Sequence, residues 1–194
     1  MSGVDNERMP RPGITARDMA QIAVFAALIA ALGLPGAVTV GFSPVPITVQ
    51  TLGVVLAGAV LGPRKGTAAV AVFIALTVIG LPLLSGGRTG LTALAGPSAG
   101  YLVGWIPAAL LIGVLTVRIV PRYPVVPALL INAAGGIVVI YFFGTLGLLL
   151  RTDMALWPAI TSNGVFLVGD ALKVVVATMV AQGVHRAYPG LARA

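Results

Sequence analysis

The segment GVFLVGDALKVVVATMVAQG, residues 164–183, is apolar almost throughout, yet it carries Asp170 and Lys173 three residues apart. A carboxylate and an ammonium at that spacing share one helix face and partly neutralise each other. In lipid, a charge at mid-span costs about 2.5–3.5 kcal/mol. Two uses would justify keeping both: a structural ion pair that pins helices together, or the polar end of a ligand site. At about 1.5 Å per residue from Gly164, the pair lies roughly 9–14 Å along the helix.

Other polar groups sit at the edges of apolar runs. Gln50 falls in the opening turns of a run; its amide can donate and accept, toward a ligand or as interhelical glue. Arg88 is the only full charge in the glycine-rich loop LSGGRTGLTALAGPSAGYLVGW, where glycines let backbone approach a ligand closely. It reads as a ligand cation or as an ordinary interfacial arginine. Pro97 and Ser98 open the next run, with Ser98 placed to satisfy an orphan amide of a helix N-terminus that attracts anions. Tyr101 lies one turn in. Trp105, on the same face, reads as an aromatic-belt residue. Asn132 reads as interhelical glue, and Asn163, beside Gly164, as a helix cap.

The elements that must position these residues are written in the composition. The 194-residue chain is 58% hydrophobic and 9% charged, with mean hydropathy +1.05. Soluble domains carry roughly 25% charged residues, so the chain reads as an all-α polytopic membrane protein in the lipid bilayer. The net charge of +7 does not point to nucleic acid, because the cations lie mostly between apolar runs. There is no cysteine, which excludes a disulfide framework and thiolate metal sites.

Residues 1–15 are polar with two prolines and read as a flexible cytoplasmic tail; residues 16–183 form the membrane domain, and 184–194 a second cytoplasmic tail holding the one histidine, His185. Six apolar runs are expected to span: Ala16–Leu34, Ile47–Leu61, Thr67–Leu84, Ala99–Val120, Val125–Leu150 and Gly164–Gln182. A span needs about 20 apolar residues, so the short second run is expected to be re-entrant or extended by its flanks. Before it, Pro44 and Pro46 hold the first outer loop extended. Arg8, Arg11, Arg17, Arg64, Lys65, Arg118, Arg122, Arg186 and Arg193 fall on one side and only Arg88 and Arg151 on the other, which places both termini in the cytoplasm. The first run is longer than a signal-peptide core.

Enzymatic equipment is missing. GPRKGTA has its lysine before the second glycine and is no phosphate-binding loop. One histidine makes neither a triad nor a metal cluster, so no catalytic residue, metal or cofactor is expected. Ala23, Ala27 and Ala31 recur every four residues on the first run. Such a small-residue stripe allows close helix approach, either within this protein or to another membrane subunit.

Three stretches carry a resemblance over about residues 16–183: FSPVPITVQTLGVVLAG at 42–58, GGRTGLTALAGPSAGYLVGW at 86–105, and GDALK at 169–173. The chain resembles the BioY family, the biotin-specific substrate-binding (S) components of energy-coupling factor transporters. It departs from the family at GPSAGY, where GPTGGY is usual; Ser98 keeps the hydroxyl and Ala99 replaces a glycine. The resemblance implies a six-helix protein of a prokaryotic cell membrane that captures biotin, as transported ligand and not cofactor, from outside. It also implies a transmembrane coupling protein and two cytoplasmic ATPase subunits as partners, with the alanine stripe as docking face. The family's Asp-x-x-Lys binding motif maps onto Asp170 and Lys173. Uptake of a different vitamin, or a membrane scaffold without ligand, are the alternatives.

Overall fold

The computed structural model describes residues 14–38 and 44–192. Most of the expected N-terminal tail, part of the first outer loop, and Arg8, Arg11 and Arg193 of the charge count lie outside the described residues. Among the described residues the fold is helical, with only two isolated bridges, Val38–Ile47 and Leu84–Arg88.

Helix α1 spans Ala16–Ala31. Its start is set by a capping box, in which Thr15 Oγ1 accepts from the Asp18 amide and Asp18 Oδ2 accepts from the Thr15 amide. Helix α2 spans Gln50–Val78 but breaks at Gly62, whose φ of 78° and ψ of −171° are not helical. Glycine adopts that positive φ at little cost, and Pro63 then fixes the restart. The two arms, 50–61 and 63–78, fold back on each other. A Cβ on Gly66 would lie 2.3 Å from the Ala57 carbonyl oxygen, whereas nine residues of straight helix would separate them by about 13.5 Å. The second and third expected runs are thus the two arms of one helical hairpin.

A short α3, Gly90–Ala95, crosses the second outer loop. Helix α4 spans Ala99–Ile119. Helix α5, Val125–Ala133, passes through a π-helical turn, Ala134–Val139, into α6, Ile140–Arg151. Helix α7 is short, Leu156–Ser162, and α8 spans Gly164–Ala187. Among the described residues, four stretches are long and apolar enough to cross a membrane: Gln50–Val78, Ala99–Ile119, Val125–Arg151 and Leu156–Ala187. This is fewer than the six runs expected, because α1 has 16 helical residues and α2 is one hairpin.

Helices α4 and α6 pack backbone to backbone. A Cβ on Gly100 would meet the Phe143 carbonyl oxygen at 2.0 Å, and one on Gly147 would meet the Gly100 amide nitrogen at 2.4 Å. Without a hydrophobic drive between helices in lipid, such close approach is a main source of association. Helix α8 runs past the expected tail boundary at residue 184. His185 is therefore not in a tail: it is buried, with its Nε2 2.8 Å from the Ala59 carbonyl oxygen and its ring against Tyr123. Asn132 is the expected glue; its Nδ2 donates to Tyr123 Oη at 3.1 Å and Thr178 Oγ1 at 2.9 Å.

Candidate binding cavity

The starts of α2, α4 and α8 meet at one end of the bundle, beside the loop between α2 and α3. They enclose a cavity bordered by all six residues singled out from the sequence: Gln50, Arg88, Ser98, Tyr101, Asp170 and Lys173. Its free volume of about 70 Å³ is several times what one water needs. A cleft of about 780 Å³ opens at the opposite end, where Lys65 pairs with Asp18 at 3.3 Å. Volume would favour that cleft; convergence of buried polar groups with apolar walls favours the cavity.

The cavity's charged feature is the α8 pair. Lys173 Nζ donates to Asp170 Oδ1 at 2.8 Å, to Thr51 Oγ1 at 3.1 Å and to the Thr48 carbonyl. Thr51 Oγ1 in turn donates to Asp170 Oδ1 at 3.3 Å, and Tyr141 Oη donates to Asp170 Oδ2 at 2.8 Å. Asp170 is buried and Lys173 largely so, with side chains 9% and 14% exposed. Helix α8 alone sets the spacing; α2 and α6 supply the hydroxyls that hold both charges in place.

Arg88 sits higher, in the loop. Its Nη1 donates to Ser98 Oγ at 3.3 Å and its Nε to the Ser85 carbonyl at 3.4 Å. Partial burial lowers its pKa from the ordinary guanidinium value, and it remains a cation throughout the range where proteins fold. Ser98 occupies the N-cap position of α4 without capping an amide; its hydroxyl faces Arg88 instead. The Gln50 amide is fully engaged: Nε2 donates to the carbonyls of Ile29 at 3.2 Å and Leu83 at 3.0 Å, while Oε1 accepts from the amide and hydroxyl of Ser85 at 2.9 and 3.2 Å.

Tyr101 borders the cavity with its ring and donates its hydroxyl to Asn163 Oδ1 at 2.7 Å. Asn163 makes no side-chain cap on α8. Its Nδ2 reaches back to the Ala159 and Ile160 carbonyls at the end of α7, and to Thr145 Oγ1. Trp105 is not a belt residue: it is 6% exposed, borders the cavity and lies against Phe73. Thr51, Tyr141 and Phe166 also border the cavity and were not marked by sequence reasoning, since a hydroxyl or ring in an apolar run is unremarkable until its neighbours are known. Ala23, Ala27 and Ala31 form an exposed stripe on α1, whereas Ala26 and Ile29 are buried and pack inward.

Apolar helices around a cavity lined by an ion pair and an arginine define a polytopic membrane protein with a candidate small-molecule site. The chain matches the BioY family over residues 6–190 and belongs to it. It is 44% identical over 181 residues to the biotin transporter BioY of Rhizobium etli, covering 91% of this chain and 97% of that one. It is 45% identical over 183 residues to the biotin transporter BioY of Rhodobacter capsulatus, covering 89% and 95%. Among solved structures it is similar to the S-component for biotin from an ECF-type ABC transporter. There the TM-score is 0.85 and the identity 32%, over 90% of this chain and 95% of the other.

Proposed function

We propose that this chain is the biotin-binding S subunit of an energy-coupling factor transporter. The observation that carries the reading is the buried Asp170–Lys173 pair inside a cavity of a BioY-family chain. Biotin offers two ureido N–H donors and a carbonyl acceptor at one end and a carboxylate at the other. An N–H approaching Asp170 replaces the 3.3 Å bond from Thr51, and the ureido carbonyl accepts a hydrogen bond from Lys173. The new charge-assisted hydrogen bonds offset the weaker ones that the ligand displaces. The bicyclic ring and the aliphatic chain lie against Leu102, Trp105, Ile140 and Phe166.

The ligand enters ring first. Sending its carboxylate down would set two negative charges side by side in a low dielectric. With the ring down, the pair's own charges stay balanced and the carboxylate stays near water, facing Arg88, whose planar fork suits it. Ser98 orients that fork, and Tyr101 walls the ring.

Six crossings, made by α1, the two arms of α2, α4, α5 with α6, and α8, would leave both termini in the cytoplasm of a prokaryotic cell membrane. The distribution of lysine and arginine supports that orientation. The exposed Ala23, Ala27 and Ala31 stripe is suited to a transmembrane coupling protein, with two cytoplasmic ATPase subunits supplying the energy. The subunit itself carries out no chemical step.

Purification in detergent, mass spectrometry of co-purified small molecules and calorimetric titration with biotin test the reading. Biotin is expected among the co-purified molecules and binds tightly on titration, while thiamine and riboflavin do not. A folded protein that carries no co-purified biotin and gives no heat with added biotin overturns it.

A further inference from the structure

We propose that Gln50, although it borders the cavity, is a positioning residue that sets Arg88 rather than a ligand contact. This rests on the biotin reading above and specifies how its charged end is recognised. Gln50 is 1% exposed, and a primary amide has two N–H donors and two acceptor sites. All four are used, by Ile29 and Leu83 carbonyls and by the Ser85 amide and hydroxyl. Nothing is left for a ligand without orphaning a buried partner, which is costly.

The four partners belong to two structures. Ile29 lies in α1; Leu83 and Ser85 lie in the loop that leads to Arg88. That loop is closed by a bridge from Leu84 to Arg88, with N···O distances of 3.1 and 3.2 Å. Ser85 binds Gln50 through its amide and hydroxyl and binds Arg88 Nε through its carbonyl. One residue therefore links the amide clasp to the guanidinium. The junction is filled: a Cβ on Gly33 would sit 2.8 Å from Gln50 Nε2 and 2.9 Å from the Leu83 carbonyl oxygen. The clasp holds the loop against the end of α1, and the loop holds the arginine at the cavity rim.

A residue acting through Arg88 affects the ligand's carboxylate and spares its ring. This separates positioning from contact. Titrations of biotin and its uncharged methyl ester into wild type, Gln50→Met, Ser85→Ala, Arg88→Gln and Gln50→Met/Arg88→Gln carry the test, with thermal stability in detergent measured for each. Gln50→Met is expected to weaken biotin about tenfold and the ester less than about threefold. In the Arg88→Gln background it should add almost nothing, since coupled residues are non-additive. Ser85→Ala removes only the hydroxyl arm, so it should show the same acid-over-ester bias at smaller size in a folded protein.

Equal weakening of acid and ester by Gln50→Met, additive with Arg88→Gln, overturns the proposal. So does a Ser85→Ala protein of normal stability with no acid-over-ester bias. If wild type binds acid and ester alike, the carboxylate reading of Arg88 fails and the route through it fails too. If wild type binds neither, it is the biotin reading that falls.

Discussion

Replacing Asp170 by asparagine changes one atom's chemistry and almost no shape. In the structure Oδ1 accepts from Lys173 at 2.8 Å and Thr51 at 3.3 Å, and Oδ2 accepts from Tyr141 at 2.8 Å. An asparagine whose oxygen keeps the first position turns its NH2 toward Tyr141, whose hydroxyl can rotate to accept. What is lost is the charge. A hydrogen bond to a charged group is worth about 1.5–3 kcal/mol, so biotin affinity should fall roughly tenfold to a hundredfold. The variant also leaves Lys173 buried without its counter-ion, and breaking such a pair costs about 3–5 kcal/mol of stability. A second variant, Asp170→Asn with Lys173→Met, separates the two effects. Removing both charges should return much of the thermal stability, yet affinity should stay low because both ligand partners are gone. The assay is titration calorimetry beside thermal unfolding, both in detergent. Wild-type affinity in a stable Asp170→Asn protein would refute the assignment. A double variant that binds like wild type would refute the exchange of partners on which it rests.

Arg88→Gln should weaken biotin clearly but its methyl ester little, measured by the same titrations; equal loss would mean that Arg88 serves the loop and not the carboxylate. Ala27→Trp places a bulky ring on the exposed α1 stripe. Cellular uptake of labelled biotin should drop while binding by the isolated protein survives, and a joint loss would assign the stripe to internal packing. Gly66→Ala drives a Cβ to within 2.3 Å of the Ala57 carbonyl oxygen between the two arms of α2. It should lower stability by about 1–3 kcal/mol, read from the thermal midpoint; unchanged stability would contradict the hairpin packing.

The membrane class was legible in the sequence because lipid imposes a coarse rule: backbone groups must be satisfied within apolar helices, and charge is expensive. The rule makes Asp170 and Lys173 conspicuous, and it makes Gln50, Arg88, Ser98 and Tyr101 worth marking at the ends of runs. All six border one cavity. Their partners were not legible, since residue type states how many hydrogen bonds Gln50 can make but not with whom. The choice of Ile29, Leu83 and Ser85 was made by the packing of α1 against the loop. Trp105 was misplaced for a similar reason. Period and hydropathy cannot tell a ring facing the lipid boundary from one packed on Phe73. Tyr141 follows the π-helical turn at Ala134–Val139. A π-turn widens the ring of each bond and rotates every later side chain relative to an α-helical count. Its hydroxyl could therefore not be aimed at Asp170 from spacing alone. The break at Gly62 is the clearest case of tertiary control. Gly-Pro in a run permits a turn, but only arms that find small-residue faces to pack on, as at Gly66 against Ala57 and Gly58, convert that permission into a hairpin.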